Sequence, residues 1–409
     1  MARVLFLTQV LPYPLDAGPK IRAYYVLRHL AQQHEVTLVS FVRDEDRPEW
    51  VTHLASICQH VHTVPMRRSR LQDARALFKA AVHAMPVIIV RDEVAAMHAM
   101  LRLLIENETY DIIHADQTSM AQYAQFARNW AIRSKPHVPV RLVLDAHNAL
   151  FRVFQQLAVE ESSTLKRLFL SREAHALERY ERHTYSQFDQ VVFVTEQDRI
   201  SLGEAGSERA ARTTTIPICI DPAERRCVIP KPEQRLVTHL GTMFWPPNVE
   251  GVLWFAQQVL PRVIAQVPDA QLAIIGKRPP AEIQALGKDE SIQVLGYIPD
   301  PEPYLAETAA FIVPLHAGAG MRVKILDAWN WGLPIISTTL GAEGIDAHDG
   351  EDLLIADGAE AYAEAVIRLL VDPGLRSSLR ERGRRRAMED YNWRTVYQKW
   401  DVVYRSILR

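Results

Sequence analysis

The sequence feature that most constrains the fold is a series of short apolar runs that alternate with longer helical patterns. The runs are rich in β-branched residues and lack the polar alternation of a strand with one face in water. They include residues 4–7, 36–41 and 140–144 in the first half, and 236–240 and 311–314 in the second. Strands buried on both faces are typical of parallel sheets, and their alternation with helices indicates βαβ units. The sequence therefore predicts an α/β protein.

The alternation runs twice, which predicts two Rossmann-like domains. A chain of 409 residues is long enough for two or three domains of ordinary size. A helix-ending sequence at residues 201–207, followed by Pro217, marks the break between them. The predicted domains are residues 1–207 and 208–390, and the last segment, residues 391–409, is predicted to be a helix that packs back on the first domain.

The composition excludes several classes of protein. The chain is 48% hydrophobic and 23% charged, and its net charge of −2 gives no reason to expect nucleic-acid binding. Cys58, Cys219 and Cys227 form neither a disulfide framework nor a Cys-x-x-Cys metal pair, so a reducing cytoplasmic setting is expected. The apolar N-terminal run is interrupted by polar residues and indicates a buried strand rather than a signal peptide. No run approaches the ~20 apolar residues of a membrane helix.

A glycine loop joins a predicted strand to a predicted helix in the second domain. The strand ends at Pro314, Gly318 and Gly320 lie in the loop, and the helix is predicted to begin near Met321 and to end at Gly332. The unpaired backbone N–H groups and the dipole at a helix N-terminus both favour an anion. The arrangement therefore indicates a phosphate site, although an ordinary turn is an alternative.

Two basic residues and one acid follow this loop. Cations such as Arg322 and Lys324 are mildly unfavourable at a helix N-terminus, so their place is explained if an anion normally lies beside them. A solvated face is the alternative. Asp327, further along the same predicted helix, can accept hydrogen bonds from ribose hydroxyl groups.

A second strand–loop–helix unit repeats this arrangement. The run 236–240 leads into Gly241 and Thr242, and Asn248 is predicted to be the N-cap of the next helix and is also a candidate for contact with a bound donor. Gly241 lets the backbone come close to a ligand, and Thr242 can donate a hydrogen bond to a phosphate. A plain βα loop with a cap is the alternative.

Polar residues also follow two predicted strands of the first domain. Arg22, in the helix after the first strand, is a candidate for contact with an acceptor or a phosphate. His147 and Asn148 follow the run 140–144, and the carboxyl ends of parallel strands are where open α/β sheets bind ligands. A structural histidine is the alternative for His147. The acidic sequence 44–46 lies between two arginines and is interpreted as a charged loop, not as a metal site.

Four segments in order resemble the retaining glycosyltransferases of family 4, which have the GT-B fold. They are residues 241–248 (Gly-Thr-Met-Phe-Trp-Pro-Pro-Asn), 272–276, 294–300 and 314–345. The likeness is greatest to the bacterial branch associated with exopolysaccharide and surface-glycan assembly. It implies two facing Rossmann-like domains with parallel sheets, a C-terminal helix that crosses back to the first domain, a nucleotide-sugar donor on the second domain and an acceptor on the first.

The resemblance also implies roles for single residues. Gly18 faces the donor diphosphate, Tyr297 and Ile298 hold the base, and His147 lies near the reacting sugar carbon. Arg322 and Lys324 stabilise the departing diphosphate, so that no metal ion or other cofactor is expected. The family has two glutamates eight positions apart in this block, where the present chain has Ala319 and Asp327.

The predicted activity is the transfer of a sugar, with retention of configuration, from a nucleotide diphosphate sugar to a hydroxyl group. A UDP-sugar is the expected donor, and the acceptor is a glycan, a lipid-linked or a small molecule. Alternatives are a nucleotide-sugar epimerase of the same fold, a non-catalytic nucleotide-binding protein and an NAD-dependent oxidoreductase. Val323 stands where the dinucleotide fingerprint has its third glycine, which disfavours the last. The basic stretch 163–172 is either a solvated face or a peripheral contact with the inner face of a membrane.

Overall fold

The computed structural model describes residues 1–67, 70–202, 212–224, 227–231, 235–318 and 320–408. The chain divides into two compact units, which are Met1–Cys219 with Trp393–Arg409, and Ile220–Asn392. The division thus lies at Cys219, after the boundary of 207 that the sequence predicted. That predicted boundary falls outside the described residues.

The first unit is built on a parallel sheet whose described strands run in the order β3-β2-β1-β4-β5-β6-β7. The strands are β1 (Arg3–Thr8), β2 (Glu35–Val42), β3 (His60–Pro65), β4 (Ile112–Asp116), β5 (Arg141–Ala146), β6 (Gln190–Phe193) and β7 (Thr213–Thr215). All five residues of β4 are buried, as expected for a strand covered by helices on both faces. The direction in which the chain adds strands reverses between β1 and β4, so this is the switch point at which α/β sheets bind ligands.

Helices cover the two faces of this sheet. They are α1 (Gly18–Leu30), α2 (Pro48–Ala55), α3 (Arg70–Val82), α4 (Val87–Arg91), α5 (Ala95–Asn107), α6 (Ala121–Ser134), α7 (Leu150–Glu160), α8 (Thr164–Tyr185) and α9 (Glu196–Leu202), with a 3₁₀ turn at Thr118–Met120. The core between sheet and helices is formed by apolar side chains such as Leu7, Phe41, Ile113 and Leu144.

The second unit repeats the design with strands in the order β10-β9-β8-β11-β12-β13. They are β8 (Leu236–Leu240), β9 (Gln271–Ile275), β10 (Ile292–Gly296), β11 (Thr308–Val313), β12 (Ile335–Ser337) and β13 (Leu354–Ile355). Every described strand pair is parallel. The switch point of this sheet lies between β8 and β11, so the two glycine loops singled out in the sequence both leave strands at the switch point.

The helices of the second unit follow the same alternation. They are α10 (Pro246–Trp254), α11 (Leu260–Gln266), α12 (Ala281–Leu286), α13 (Glu302–Leu305), α14 (Val323–Trp331), α15 (Ala359–Val371) and α16 (Pro373–Glu389). A π-helical turn at Phe255–Val259 joins α10 to α11. Such a turn accommodates Pro261, because proline lacks the N–H group that a regular helix interior requires. Gly332 ends α14 in the left-handed conformation with φ of 71°, which confirms the predicted C-cap.

The C-terminal segment belongs to the first unit. It contains α17 (Trp393–Val396) and α18 (Gln398–Ile407). Trp400 and Tyr404 of α18 are buried, and the Tyr404 hydroxyl group lies 2.8 Å from Nδ1 of His114 in β4. The prediction that the last helix crosses back to the first domain is therefore confirmed.

Candidate functional site

The loop after β8 passes very close to α14, and glycine at position 241 permits this approach. A Cβ atom on Gly241 would lie 2.8 Å from Nζ of Lys324 and 3.1 Å from both Nδ2 of Asn248 and Nε2 of His239. The polar ends of these three side chains therefore converge on the backbone of one residue. A larger residue at 241 would displace them.

Asn248 has a different role from the one that the sequence predicted. Helix α10 begins at Pro246 with Trp245 in the N-cap position, because proline is favoured in a first helical turn, where no N–H group is needed. Asn248 instead lies inside that first turn. Its Nδ2 donates a hydrogen bond to the carbonyl oxygen of Thr242 at 2.9 Å, and its Oδ1 accepts one from Nζ of Lys324 at 2.9 Å.

The loop after β11 brings a second cation to the same switch point. Gly318 has a φ of 123°, a backbone conformation that L side chains rarely adopt, and a Cβ atom there would lie 3.0 Å from Nη2 of Arg322. Helix α14 begins at Val323, two residues later than predicted, so Arg322 is the N-cap and Met321 lies just before it. Nη1 of Arg322 donates a hydrogen bond to the carbonyl oxygen of Gly320 at 2.7 Å, and the side chain is buried.

The charges of this cluster are partly withdrawn from water, because Arg322 is buried and Lys324 is partly buried. Desolvation, with a smaller contribution from Arg322, lowers the pKa of Lys324 to about 7. Burial and then the charge of Lys324 hold the pKa of His239 well below its usual value. Among the described residues, Nζ of Lys324 donates a hydrogen bond to the neutral amide of Asn248, and the charge that acts on its pKa is the like charge of Arg322. A cation taken out of water without a counterion is costly, and a bound anion removes that cost.

His239 was not singled out in the sequence analysis, because it lies inside β8 in an otherwise apolar run. Its ring is fully buried, and its Nδ1 lies 3.2 Å from the carbonyl oxygen of Ile312, which can accept a hydrogen bond from it. Nε2 of His239 has no hydrogen-bond partner among the described residues and is one of the atoms nearest Gly241. We call Gly241, His239, Asn248, Arg322 and Lys324 the cationic cradle.

Three further predicted residues lie in the second unit outside this cradle. Asp327 is partly buried, one turn along α14 from Val323. Tyr297 follows β10 and is exposed, with Nζ of Lys277 4.7 Å from the centroid of its ring. Ile298 is partly buried in the same loop. Ala319, where the family has its first glutamate, lies outside the described residues.

A buried group of charged residues lies at the carboxyl ends of β4 and β5 in the first unit. Nε2 of His147 lies 2.8 Å from Oδ1 of Asp116 and 3.8 Å from Oδ2 of Asp145. Burial alone would lower the pKa of His147, but the hydrogen-bonded Asp116 carboxylate and the nearby Asp145 together outweigh burial and raise it. Nδ1 of His147 has no hydrogen-bond partner among the described residues.

Arg22 holds this group together through a buried ion pair with Asp145. Its guanidinium group pairs with both carboxylate oxygens of Asp145, at 2.9 Å and 3.0 Å, and its Nη1 donates to the carbonyl oxygen of Pro217 at 2.6 Å. The side chain is completely buried. This structural role replaces the predicted contact with an acceptor or a phosphate, because no part of the guanidinium group is accessible.

The remaining candidates of the first unit lie near the surface. Gly18 is the first residue of α1, directly after the loop that leaves β1, and is partly buried. Asn148 follows His147 and is also partly buried. Both are therefore accessible at the end of the sheet where the switch point lies.

Asp116, Asp145 and His147 each offer a ligand atom, and these atoms lie within 4.8 Å of one another. Geometry alone would allow them to hold a metal ion. Both oxygens of Asp145 are, however, already bound by Arg22, and Nε2 of His147 is bound by Asp116. The donor set therefore fits a closed ion-pair network better than a metal site.

Two Rossmann-like units, each built on a parallel sheet, are the architecture of the GT-B class of glycosyltransferases. Residues 17–219 match the family model described as a glycosyl transferase 4-like domain, and residues 234–372 match the model of glycosyl transferases group 1. The chain belongs to this family of glycosyltransferases and is an enzyme of that kind.

Known proteins of similar sequence and structure agree with this assignment. An uncharacterized 44.6 kDa protein in the cps region of Klebsiella pneumoniae is 24% identical over 379 residues, which cover 90% of each chain. A phosphatidyl-myo-inositol mannosyltransferase of Mycolicibacterium smegmatis is 26% identical over 181 residues, 43% of this chain and 46% of that protein. The crystal structure of Anabaena Alr3699/HepE with UDP and glucose superimposes with a TM-score of 0.68, at 15% identity, over 99% of this chain and 100% of that one.

Proposed function

We propose that the protein transfers a sugar from a nucleotide diphosphate sugar, first of all a UDP-sugar, to a hydroxyl group with retention of configuration. The observation that carries this proposal is the cationic cradle, in which Arg322 and the desolvated Lys324 lie beside the backbone of Gly241. Two cations at a helix N-terminus suit a diphosphate, and HepE, a protein of the same fold, was crystallised with UDP.

The cradle serves the reaction by stabilising the charge that grows on the leaving group. Arg322, Lys324 and the N-termini of α10 and α14 are already oriented before the sugar–phosphate bond breaks, and such preorganised groups stabilise the transition state most. Thr242, Gly318, Gly320 and Met321 contribute loop backbone or side-chain contacts to the same diphosphate. We assign Asp327 to the ribose, and Tyr297 and Ile298 to the base.

Retention follows from displacement on one face of the sugar. The acceptor oxygen bonds to the anomeric carbon as the bond from that carbon to the diphosphate oxygen breaks, and the leaving phosphate oxygen takes the acceptor proton. His147 positions the sugar or the acceptor and is not the main base. Asn148 is assigned to the acceptor, and Gly18 stays a candidate for contact with the diphosphate.

The proposal includes no metal ion, because the two cations supply the positive charge that a metal would bring. Activity that persists in a chelator would support this part of the proposal, and activity restored only by a divalent metal would contradict it.

The acceptor is proposed to be a glycan, a lipid-linked molecule or a small molecule. The reaction is proposed to take place in the cytoplasm. A lipid-linked acceptor is supported by the similarity to the phosphatidyl-myo-inositol mannosyltransferase and would place the enzyme at the inner face of a membrane. Among the described residues, no helix combines the length and apolar character needed to cross a bilayer.

A donor screen tests the proposed function. The protein is incubated with UDP-, GDP- and ADP-sugars, with and without a panel of glycan and lipid acceptors, and the released nucleotide is measured. The expected result is nucleotide release that depends on an acceptor. The anomeric linkage of the product should be axial or equatorial as it is in the donor. Conversion of the donor sugar without any acceptor would identify an epimerase, and tight binding of NAD without binding of any nucleotide sugar would overturn the proposal.

A further inference from the structure

A buried glutamate of α8 connects the two loops that carry Asp116 and His147. The side chain of Glu181 is completely buried, and its carboxylate accepts three hydrogen bonds. Two of them come from the backbone of α7, and the third comes from a hydroxyl group of α8 itself. The carboxylate therefore contacts more than one part of the first unit.

The contact with α7 fixes the start of that helix. The N–H groups of Leu150 and Phe151 are the first two of α7, and a helix supplies no partner for such groups. They donate to Oε1 of Glu181 at 3.0 Å and to Oε2 at 3.2 Å. Only residues 147–149 separate the end of β5 from α7. Glu181 thus holds the far end of the short segment that begins with His147.

The contact within α8 leads to the turn after β4. The Tyr185 hydroxyl group donates to Oε1 of Glu181 at 3.1 Å and lies 2.8 Å from Oγ1 of Thr118. Because a hydroxyl group has a single proton, Thr118 donates to Tyr185. Thr118 begins the 3₁₀ turn just after Asp116, and Gln117 between them has a φ of 74°. An uncommon conformation of this kind persists only when surrounding contacts hold it.

The ionised form of Glu181 is costly for the fold. Desolvation raises the pKa of Glu181 to about 7, although the hydrogen bonds from α7 and Tyr185 lower it. The ionisable groups that face it are Tyr180 and Tyr185 of α8 and Asp198 of α9, and Asp198 is paired with Arg152 of α7. A carboxyl group with a raised folded pKa lowers stability as the pH rises from the unfolded pKa through the folded one. Stability alone therefore does not explain a carboxyl group here.

We propose that Glu181 is a positioning residue for sugar transfer, which acts in its ionised form by holding the loops of Asp116 and His147 in register. The carboxylate accepts from both N–H groups of α7 and from Tyr185 at once. A neutral carboxyl group accepts more weakly, and an amide replaces one acceptor oxygen by a donor. The inference rests on the proposed function, because it concerns the place of His147 in the transfer.

Glu181→Gln tests this proposal, with Glu173→Gln as the matched control. Glu173 is also a buried glutamate of α8, and its Oε2 accepts the N–H of Val87, the first residue of α4, which carries none of the candidate site residues. Glu181→Gln should lower kcat by about 10- to 100-fold, since a misplacement of about 1 Å can cost about 10²-fold. The dissociation constant of a UDP-sugar, measured by calorimetry, should not change. Glu173→Gln should leave both quantities unchanged.

The pH dependence separates positioning from a merely structural role. The ratio of kcat in the unmodified protein to kcat in Glu181→Gln should be smallest at about pH 5.5 and should rise through pH 7 to a plateau, because only the ionised carboxylate differs in charge from the amide. The ratio cancels the titration of groups that both proteins share. A ratio that does not change with pH, or an equal loss of kcat in Glu173→Gln, would overturn the proposal.

Amide hydrogen exchange tests the same contact without substrate. At pH 8, exchange in the segment 149–153 should be about tenfold faster in Glu181→Gln than in the unmodified protein and unchanged in Glu173→Gln. Unchanged exchange in Glu181→Gln would overturn the proposal. Absence of transfer by the unmodified protein would contradict the proposed function and the inference that rests on it, whereas normal transfer with an unchanged kcat in Glu181→Gln would contradict the inference alone.

Discussion

Nζ of Lys324 donates a hydrogen bond to Oδ1 of Asn248 at 2.9 Å, and this contact joins the two loops at the switch point of the second sheet. The amide is fixed in orientation by its second contact, from Nδ2 to the carbonyl oxygen of Thr242. Asn248 can therefore hold the ammonium group in place but carries no charge to neutralise it. The cation is positioned and left available for an anion.

The affinity for a UDP-sugar is expected to fall as the pH rises from about 7. The pKa of Lys324 in the free protein is lowered to about 7, and a bound diphosphate favours the charged form. Affinity is therefore greatest below pH 7 and decreases above it by up to about tenfold per pH unit. The decrease ends where the pH reaches the higher pKa that Lys324 has in the complex with the donor. A UDP-sugar has no terminal phosphate monoester that titrates in this range, so calorimetry from pH 6 to 9 isolates the lysine. Lys324→Arg is the control and should flatten the profile; an equal decline in this variant would contradict the assignment.

Lys324→Met should stabilise the free protein while it impairs donor binding. Folding lowers the pKa of this lysine, so at a pH below its folded pKa the unmodified protein bears the cost of a desolvated charge. That cost disappears as the pH rises through the folded pKa towards the unfolded one. The unfolding midpoint of the variant should therefore exceed that of the unmodified protein at pH 6, and the difference should shrink at pH 9. The opposite result would be a variant that loses more stability relative to the unmodified protein at pH 6 than at pH 9. That result would show that the cation stabilises the fold.

Asp116→Asn should lower the pKa of His147 and the turnover rate without changing the affinity for the donor. Asp116 accepts a hydrogen bond from Nε2 of the imidazole ring and its negative charge stabilises the charged form of the ring, whereas a neutral amide lacks that charge. Titration of the ring by NMR measures the pKa, and steady-state kinetics separates kcat from KM. His147→Ala is the companion variant and should reduce kcat at least as much. An unchanged ring pKa in Asp116→Asn would refute the role of Asp116.

Arg22→Met should destabilise the protein by about 3–5 kcal/mol, because it leaves the buried Asp145 carboxylate without its partner. Denaturant unfolding measures the free energy change. The double variant Arg22→Met with Asp145→Leu removes both charges and should recover much of the lost stability. If Arg22→Met instead left stability unchanged and raised only the KM for the acceptor, the residue would be an acceptor contact after all.

Local sequence patterns were sufficient to predict the strands and the loops that carry the site. The run 311–314 is buried and β-branched, and the glycines after it permit a turn that other residues do not adopt easily. The contacts between distant residues could not be predicted in the same way. Lys324 meets Asn248, and His147 meets Asp116, only because the order of the strands places the ends of β8 beside β11 and of β4 beside β5.

Two side chains were misinterpreted for a related reason. Asn248 has the residue type of a helix cap, but Pro246 begins the helix two residues earlier. Arg22 has the residue type of a phosphate ligand, but it forms a buried ion pair with Asp145, which lies 123 positions away in the sequence. In both cases the residue type was compatible with two roles, and the tertiary contact determined which one applied.

Calorimetric titration of a UDP-sugar into Arg322→Ala and Lys324→Ala tests the cationic cradle most directly. Each variant removes one charged donor from the proposed diphosphate site, so the dissociation constant should rise by about 10- to 100-fold. Lys288→Ala, which removes an exposed lysine of the same unit outside the cradle, should bind like the unmodified protein. Unchanged affinity in both cradle variants would contradict the account.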